Sequence, residues 1–551
     1  MNSTSDASPS SGLPTPDLPP EKGHPAGLWV LFITEMWERF SYYGMRALLV
    51  LYLIASTQGV LENGETNTNP GFGWSESSAY LLYGVYTWAV YLTPIFGGWL
   101  ADKFLGTHRS MLVGGWIIAA GHITLAMTEL FGVTPGQVVT LQTGPGAVIC
   151  FGTGLALIVI GTGFFKPCVS VMVGQLYRRD DPRRDSGFTI FYMGINLGAF
   201  LSPLVAGYLG EMVGWHWGFG SAAVGMLAGL FTYQVLRPRY LRGIGDPPAQ
   251  KGSAETLMIG AAAVAGLAVL AVVLGLFVLP LMSSWGLEQV FWGAIAFLGL
   301  VAIVAFLWMQ PRQERAPLAV IFILALVGNI FFWTAFEQAG SSLNVFAKQK
   351  TDRTLGGLLD GENFTLVGAI DEEGFPASWY QSVNPLAILV FASLFAVLWV
   401  WLERRNLNPS TPMKFAWGLY LLGMAFIPMM YASWATQDGE LAGAHWLLLT
   451  YVGCTWGELC LSPVGLSMVT KLAPDRLQSL MMGFWFFTFS LANLCAGLVA
   501  LLSTKVESGE ITFVFEGLAG FFFMLVVASI AAGVAITVLT PLLKKMMQGV
   551  K

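Results

Sequence analysis

Charge is what this sequence has least of. Asp, Glu, Lys and Arg make up 11% of its 551 residues, against about 25% in an ordinary soluble domain. A soluble chain of this length could not cover its surface with so few. Cysteine is scarce too: Cys150, Cys168, Cys454, Cys460 and Cys495 all sit inside apolar stretches. There they read as small core residues rather than as a disulfide framework or a metal site. The five histidines (His24, His108, His122, His216 and His445) are scattered without metal-ligand spacing. No phosphate-binding glycine loop ending in Lys-Ser/Thr is present, which argues against an ATP-driven pump, and no nucleophile elbow or HExxH motif marks an enzyme. A net charge of −5 gives nucleic acid no electrostatic footing.

Apolar residues are abundant, at 55% of the chain. A run of about 20 such residues crosses a bilayer as a helix. Fourteen runs qualify, near 27–56, 76–100, 110–132, 146–176, 186–210, 215–236, 256–281, 287–310, 317–347, 377–402, 412–434, 444–472, 477–503 and 513–543. The pattern divides six, two, six. It predicts an all-α membrane protein: a disordered tail at 1–26, a six-helix bundle at 27–240, a linker and inserted helical hairpin at 241–316, a second six-helix bundle at 317–545, and a short tail at 546–551. The Pro- and Ser-rich start has no apolar core and reads as a disordered tail rather than a cleaved signal peptide. The middle pair carries few polar residues beyond Glu288 and Gln289 and follows a Pro/Gly-rich linker, Arg242–Lys251, so it is expected to face lipid. Six plus six is the arrangement of transporters built from two related bundles around a midplane cavity.

Alternate connections carry the cations. One set holds Lys103/Arg109, Arg178/Arg179/Arg183/Arg184, Arg237/Arg239/Arg242, Arg312/Arg315, Arg404/Arg405/Lys414, Lys471/Arg476 and Lys544/Lys545. The opposite set is acidic or neutral: Glu62, Glu65 and Glu76, then Asp360, Glu362, Asp371, Glu372 and Glu373, then Asp438 and Glu440. The cationic side is expected to be cytoplasmic, with both termini on it, in the plasma (inner) membrane. The polar segment near 348–376 reads as the longest outer loop, either a surface hairpin or a disordered insert.

Ionisable residues inside such runs are costly, by an estimated ~2.5–3.5 kcal/mol each on insertion scales, and mark function. The first run holds Glu35-Met-Trp-Glu-Arg-Phe-Ser-Tyr-Tyr-Gly. Positions i, i+3 and i+4 share a helix face, so Glu35, Glu38 and Arg39 point together, with Tyr42, Tyr43 and Arg46 continuing the stripe. Two carboxylates around one guanidinium form a site that one proton neutralises; a structural ion pair is the plainer alternative. Lys166, in Gly161-Thr-Gly-Phe-Phe-Lys-Pro, is the only cation in a run of roughly thirty residues. Unless it snorkels to the interface, it needs an anion, either Glu35/Glu38 or a substrate. Pro167 should kink its helix. Glu337 and Glu458 are lone carboxylates in apolar helix, each a candidate proton carrier or a neutral acid bonded to a neighbouring helix. Asn196, Gln338, Asn344, Gln381, Ser382, Asn384 and Asn493 are each expected to act as interhelical glue. Trp333, Trp456, Phe331 and Phe332 read as core or lipid-facing, while Trp485 could wall a pocket or pack. Between the second and third runs lies Gly97-Gly-Trp-Leu-Ala-Asp-Lys. Its glycines permit close helix approach. Asp102 is expected to cap, or to pair with Arg109 or a neighbouring helix, as a gate.

Together these motifs resemble the proton-dependent oligopeptide transporter family, a branch of the major facilitator superfamily, over essentially the whole chain. The most specific are Glu35-x-x-Glu-Arg-Phe-x-Tyr-Tyr-Gly and Phe191-Tyr-Met-Gly-Ile-Asn-Leu-Gly-Ala. Gly161-Thr-Gly-Phe-Phe-Lys-Pro, Glu337-Gln-x-Gly-Ser-Ser, Gln381-Ser-x-Asn-Pro and Gly457-Glu-Leu-x-Leu-Ser-Pro, which contains Ser462, support them as a set. The resemblance implies import of di- and tripeptides with protons, driven by the proton gradient with no cofactor, by a protein functional as a monomer. It implies that Glu35, Glu38, Arg39, Lys166 and Glu337 couple the proton. It places Arg46 and Lys166 at the peptide carboxylate, Glu458 at its amino terminus, and Tyr42, Tyr43, Tyr91, Asn196, Asn384, Ser462 and Trp485 around it. No charged position departs from the family pattern. A same-fold symporter of another small substrate, such as nitrate, an amino acid or a peptide-like drug, is the alternative. A drug–proton antiporter would need fewer fixed cations in the cavity.

Overall fold

A computed structural model describes residues 23–57, 67–132, 135–178, 183–247, 288–354, 374–437 and 439–549, with isolated positions between them. Most of the expected N-terminal tail, most of the run 256–281, Arg179, and the acidic residues Glu62, Glu65, Asp360, Glu362, Asp371, Glu372, Glu373 and Asp438 lie outside the described residues.

The other apolar runs fall on helix. The first half forms α1 (Ala26–Ile54), α2 (Glu76–Leu100), α3 (Gly106–Ala126), α4 (Pro145–Gln175), α5 (Arg184–Ser202) and α6 (Trp215–Tyr240). After α7 (Glu288–Met309) comes a broken helix: α8 (Arg312–Ile323), a π-helical stretch Leu324–Ile330, α9 (Phe331–Phe336), a 3-10 turn Glu337–Gly340 and α10 (Ser342–Gln349). The chain ends with α11 (Val383–Arg404), α12 (Thr411–Ala425), α13 (Ile427–Ala435), α14 (Ala444–Leu472), α15 (Gln478–Glu507) and α16 (Gly517–Met546).

Ten helical stretches among the described residues are long and apolar enough to cross a membrane. One of them, Glu76–Leu130, is 55 residues long and holds both α2 and α3, because a π-helical turn, Ala101–Leu105, leads from one into the other. Gly106 reverses the chain there at φ 73°, a conformation that glycine adopts without strain. At 29 residues α1 is as long as the rest, roughly 43 Å at 1.5 Å per residue, but it carries four charges. Counting it, and α2 and α3 separately, twelve long apolar helices besides α7 stand among the described residues. The protein is an all-helical, multi-pass membrane protein. On α7, Phe297, Leu298, Trp308 and Met309 turn outward more than half exposed, a surface that lipid rather than water stabilises.

Within the first half α1 packs on α5 and α6, and α3 and α2 on α4. Within the second, α12 packs on α14 and α16, and α11 on α14. Two seams join the halves, α2 with α15 and α5 with α11. The first is tight because glycine faces glycine: a Cβ on Gly84 would stand 2.8 Å from Gly497 Cα. The glycines expected to allow close approach do so in the first bundle, where a Cβ on Gly97 would stand 1.9 Å from the Gly163 carbonyl oxygen. Pro167 has no N–H to donate to that carbonyl, four residues back. Ser110 Oγ donates to the next one, Phe164, at 2.9 Å.

The halves are joined at the end of the molecule opposite the termini. There Asn344 Nδ2 donates to the Ala47 carbonyl at 2.9 Å, Gln349 Nε2 to Glu76 at 3.0 Å, and Ser77 and Thr504 share a hydrogen bond of 2.9 Å. Of the expected loop at 348–376 only the two ends are described. They are held together by Phe375 N donating to Arg353 O at 2.9 Å, and Thr351–Asp352 pairs in parallel with Ala442–Gly443.

Candidate functional site

A cavity of about 1540 Å³ lies between the halves. It is lined by Glu35, Arg39, Tyr43, Arg46, Tyr91, Lys166 and Asn196 from the first half, and by Glu337, Asn384 and Glu458 from the second. It runs toward Asp102, Ser170 and Gly483, at the ends of α2, α4 and α15 that lie on the side of the termini.

The 3.6-residue period of α1 sets one wall. Arg39 Nε lies 3.0 Å from Glu35 Oε1 and 2.5 Å from Glu38 Oε2, all three residues being buried. Two turns on, Arg46 Nε donates to Tyr83 Oη at 2.7 Å, and its Nη2 pairs with the Glu337 carboxylate of the opposite half. Tyr83 sits two turns before Tyr91 on α2, and Tyr91 holds its ring 3.5 Å below Lys166 Nζ, a cation–π contact. Lys166 makes no ion pair within 4 Å among the described residues.

The break in the helix carrying Glu337 has a local cause. Gln338 donates through Nε2 to the Thr334 and Ala496 carbonyls, each at 3.1 Å, and accepts from Ser342 Oγ at 2.8 Å. The side chain thus serves the backbone and hydroxyl groups that the break leaves open, as irregular backbone at membrane depth requires. At Gly340 a Cβ would meet Tyr83 Oη at 1.9 Å, so only glycine lets α2 approach. Glu458 comes from α14, five residues before the helix-interior Pro463. Asn384, in the first turn of α11, donates to Glu458 Oε2 at 3.0 Å and to Thr455 Oγ1 at 2.9 Å.

Several sequence expectations change here. Arg46 is not a free cation, because Glu337, read as a lone carboxylate, is its partner; two residues 291 apart in sequence offer no local signal. Lys166 does not find its anion in Glu35 or Glu38 and faces the cavity instead. Asn384 ties α11 to α14 through Glu458 and Thr455, as interhelical glue does. Tyr42, Ser462 and Glu38 are not among the lining residues, and Trp485 is fully buried against Phe415 and Gly465. The aromatic wall comes instead from Trp333, Phe336, Tyr192, Tyr451 and Phe489. Gln381 lines the cavity as well. Asp102 and Arg109 are both exposed and make no ion pair with each other, although Asp102 reaches the cavity mouth. Tyr83 went unnoticed in the sequence, although its spacing of eight from Tyr91 was a usable signal.

Known proteins share this architecture and sequence. The chain is 38% identical over 490 residues to the peptide transporter YePEPT of Yersinia enterocolitica, covering 87% of this chain and 88% of that protein. It is 36% identical over 474 residues to a di-/tripeptide transporter of Lactococcus lactis subsp. cremoris, covering 85% and 87%. Among solved structures, that of peptide transporter POT in complex with sulfate superimposes with a TM-score of 0.75 at 34% identity, covering 96% of this chain and 97% of the other. A POT family transporter in complex with 5-aminolevulinic acid gives 0.73 at 29% identity, covering 95% and 97%. The sequence profile of the POT family matches residues 108–514, and the chain belongs to that family.

Proposed function

We propose that this protein is a proton-coupled symporter that imports di- and tripeptides by alternating access through the cavity between its bundles. The observation that carries the reading is the pair of uncompensated charges on opposite walls: Lys166 on α4 and Glu458 on α14, neither with an ion-pair partner among the described residues, both lining one cavity. A zwitterionic peptide has a carboxylate and an ammonium at nearly fixed spacing, so its two ends pair with these two groups and link the bundles. Only a ligand that binds two states unequally shifts their populations, and a bridge across the seam does so. The aromatic wall of Trp333, Phe336 and Phe489 offers apolar area to the side chains.

Coupling follows from charge. Glu35, Glu38, Arg39 and Lys166 sum to zero as drawn, and so do Arg46 and Glu337. A peptide carboxylate that takes Lys166 leaves the α1 triplet one negative charge in excess, which a proton on Glu35 or Glu38 cancels. A proton on Glu337 releases Arg46 and with it the contact between the halves. An inward membrane potential adds about 2.3 kcal/mol per charge per 100 mV.

The remaining assignments are part of the same proposal. The cationic loops face the cytoplasm, both termini lie there, and the cavity is open inward. The protein sits in the plasma membrane as a functional monomer of fourteen helices, with residues 241–316 forming a linker and an inserted hairpin that faces lipid. Asp102 and Arg109 act at the inner gate when it closes, and the proton gradient drives the cycle without a cofactor.

The test is uptake of labelled dialanine into proteoliposomes under an inward proton gradient, with di-, tri- and tetrapeptides as competitors. Uptake no greater than in empty vesicles refutes the reading. Competition by small amino acids but not by peptides moves the protein to the alternative substrate class.

A further inference from the structure

Glu211 lies outside the cavity and outside every motif singled out in the sequence. It sits on the π-helical turn Leu209–Val213 that extends α5, at the end of the molecule opposite the termini. Its side chain is 0% exposed. All the donors to its carboxylate come from the opposite half: the Ser378 backbone N–H reaches Oε1 at 3.0 Å, the Ala377 N–H reaches Oε2 at 3.2 Å, and Lys348 Nζ reaches Oε2 at 3.4 Å.

The seam around it is shaped for this contact. Trp379 Nε1 donates to the Leu204 carbonyl at 3.1 Å and Ser382 Oγ to the Phe200 carbonyl at 2.8 Å. A Cβ on Gly207 would stand 2.0 Å from Ser378 Oγ. From its own half, Asn69 fixes this end of α5, donating to the Gly210 carbonyl at 2.8 Å and accepting from Trp215 N at 3.0 Å. The carboxylate is therefore held in place on one bundle, and its donors on the other.

We propose that Glu211 is the latch of the sealed end, engaged in the state seen here and released in every transport cycle. The inference rests on the alternating-access reading above. Opening this end separates α5 from α11 and removes all three donors from a buried carboxylate at once. Hydrogen bonds to a charged group are each worth roughly ten- to a hundredfold in an equilibrium, so a latch of three governs the ratio of the two states. The cavity does not include Glu211, so the latch alters no substrate contact and acts through the ratio of the two states.

The experiment measures the distance across the sealed end by pulsed electron resonance in lipid nanodiscs. Spin labels are attached at Gln142→Cys and Ser508→Cys, with Cys150 and Cys495 replaced by alanine. Glu211→Ala should raise the ratio of long to short distances at least about tenfold. Glu211→Gln, whose amide oxygen still accepts one N–H, should fall between, and Lys348→Ala should shift the ratio the same way by less. Dialanine uptake should lose maximal rate, with KM moving only as far as the shifted ratio of states requires. Distributions of Glu211→Ala and Glu211→Gln that superimpose on the parent overturn the latch. If Glu211→Ala does not fold, Glu211→Gln and Lys348→Ala decide by the same criterion. A parent protein that takes up no peptide refutes the transport reading and leaves the distances to judge the latch.

Discussion

Replacing Glu337 by glutamine tests the coupling scheme at its most exposed point. The side chain keeps its shape and loses its charge, so it imitates a permanently protonated carboxyl. In the structure that carboxylate is the ion-pair partner of Arg46 across the seam, and Arg46 otherwise has Tyr83 Oη at 2.7 Å. Removing one partner of a buried pair costs about 3–5 kcal/mol. Arg46 borders the cavity, where water can reach it, which places the cost at about 3 kcal/mol or less. Since about 1.4 kcal/mol is tenfold, the state held by the pair should lose roughly a hundredfold in population, enough to bring a 99:1 preference near parity. Glu337→Gln should therefore still exchange labelled dialanine between preloaded proteoliposomes, yet fail to accumulate it against a gradient when protons flow inward. The same vesicles serve both assays, so a folding defect shows as loss of exchange. Accumulation at the unaltered level would refute the role of this pair, as would loss of accumulation and exchange together in well-folded protein.

Glu458→Gln should weaken peptides with a free amino terminus by roughly ten- to a hundredfold, the worth of a charged hydrogen bond, and N-acetylated peptides little; equal loss in a competition assay removes Glu458 from the amine. Lys166→Ala should abolish proton-driven accumulation while destabilising by no more than about 2 kcal/mol, the worth of its cation–π contact with Tyr91, because Lys166 has no ion pair to break; thermal unfolding in detergent checks the second half, and retained uphill uptake sinks the first. Gly97→Val should destabilise the first bundle by about 1–3 kcal/mol through overpacking, since a Cβ there meets the Gly163 carbonyl at 1.9 Å; an unchanged melting temperature would show that α2 and α4 part more easily than the contact suggests.

These predictions draw on two kinds of information that the sequence carries unequally. Helix existence was legible because an apolar run long enough to cross lipid has few other uses, and the runs near 146–176 and 444–472 match α4 and α14 within a residue or two. Clusters within one helix were legible for the same reason: Glu35, Glu38 and Arg39 meet because their spacing on α1 brings them to one face. What the sequence could not show was which charge on one bundle meets which on the other. Arg46 looked as free as Lys166, and only the packing of α2 against the break after α9 shows that one is paired and the other is not. Trp485 was left open for a related reason: an aromatic in mid-helix fits a core or a pocket equally well, and Gly465 opposite it, a feature of packing rather than of local pattern, favours the core. Glu211 was missed because it sits near a helix end, where an acidic residue ordinarily meets water. Its donors, two backbone N–H groups from the turn before α11 and a lysine of α10, form a site only when those segments meet the extension of α5. The contacts that define one conformational state are thus the ones that a linear pattern conceals. The proposed substrate site is largely built from motifs, while the contacts that would distinguish the states are built from pairs brought together by the seam.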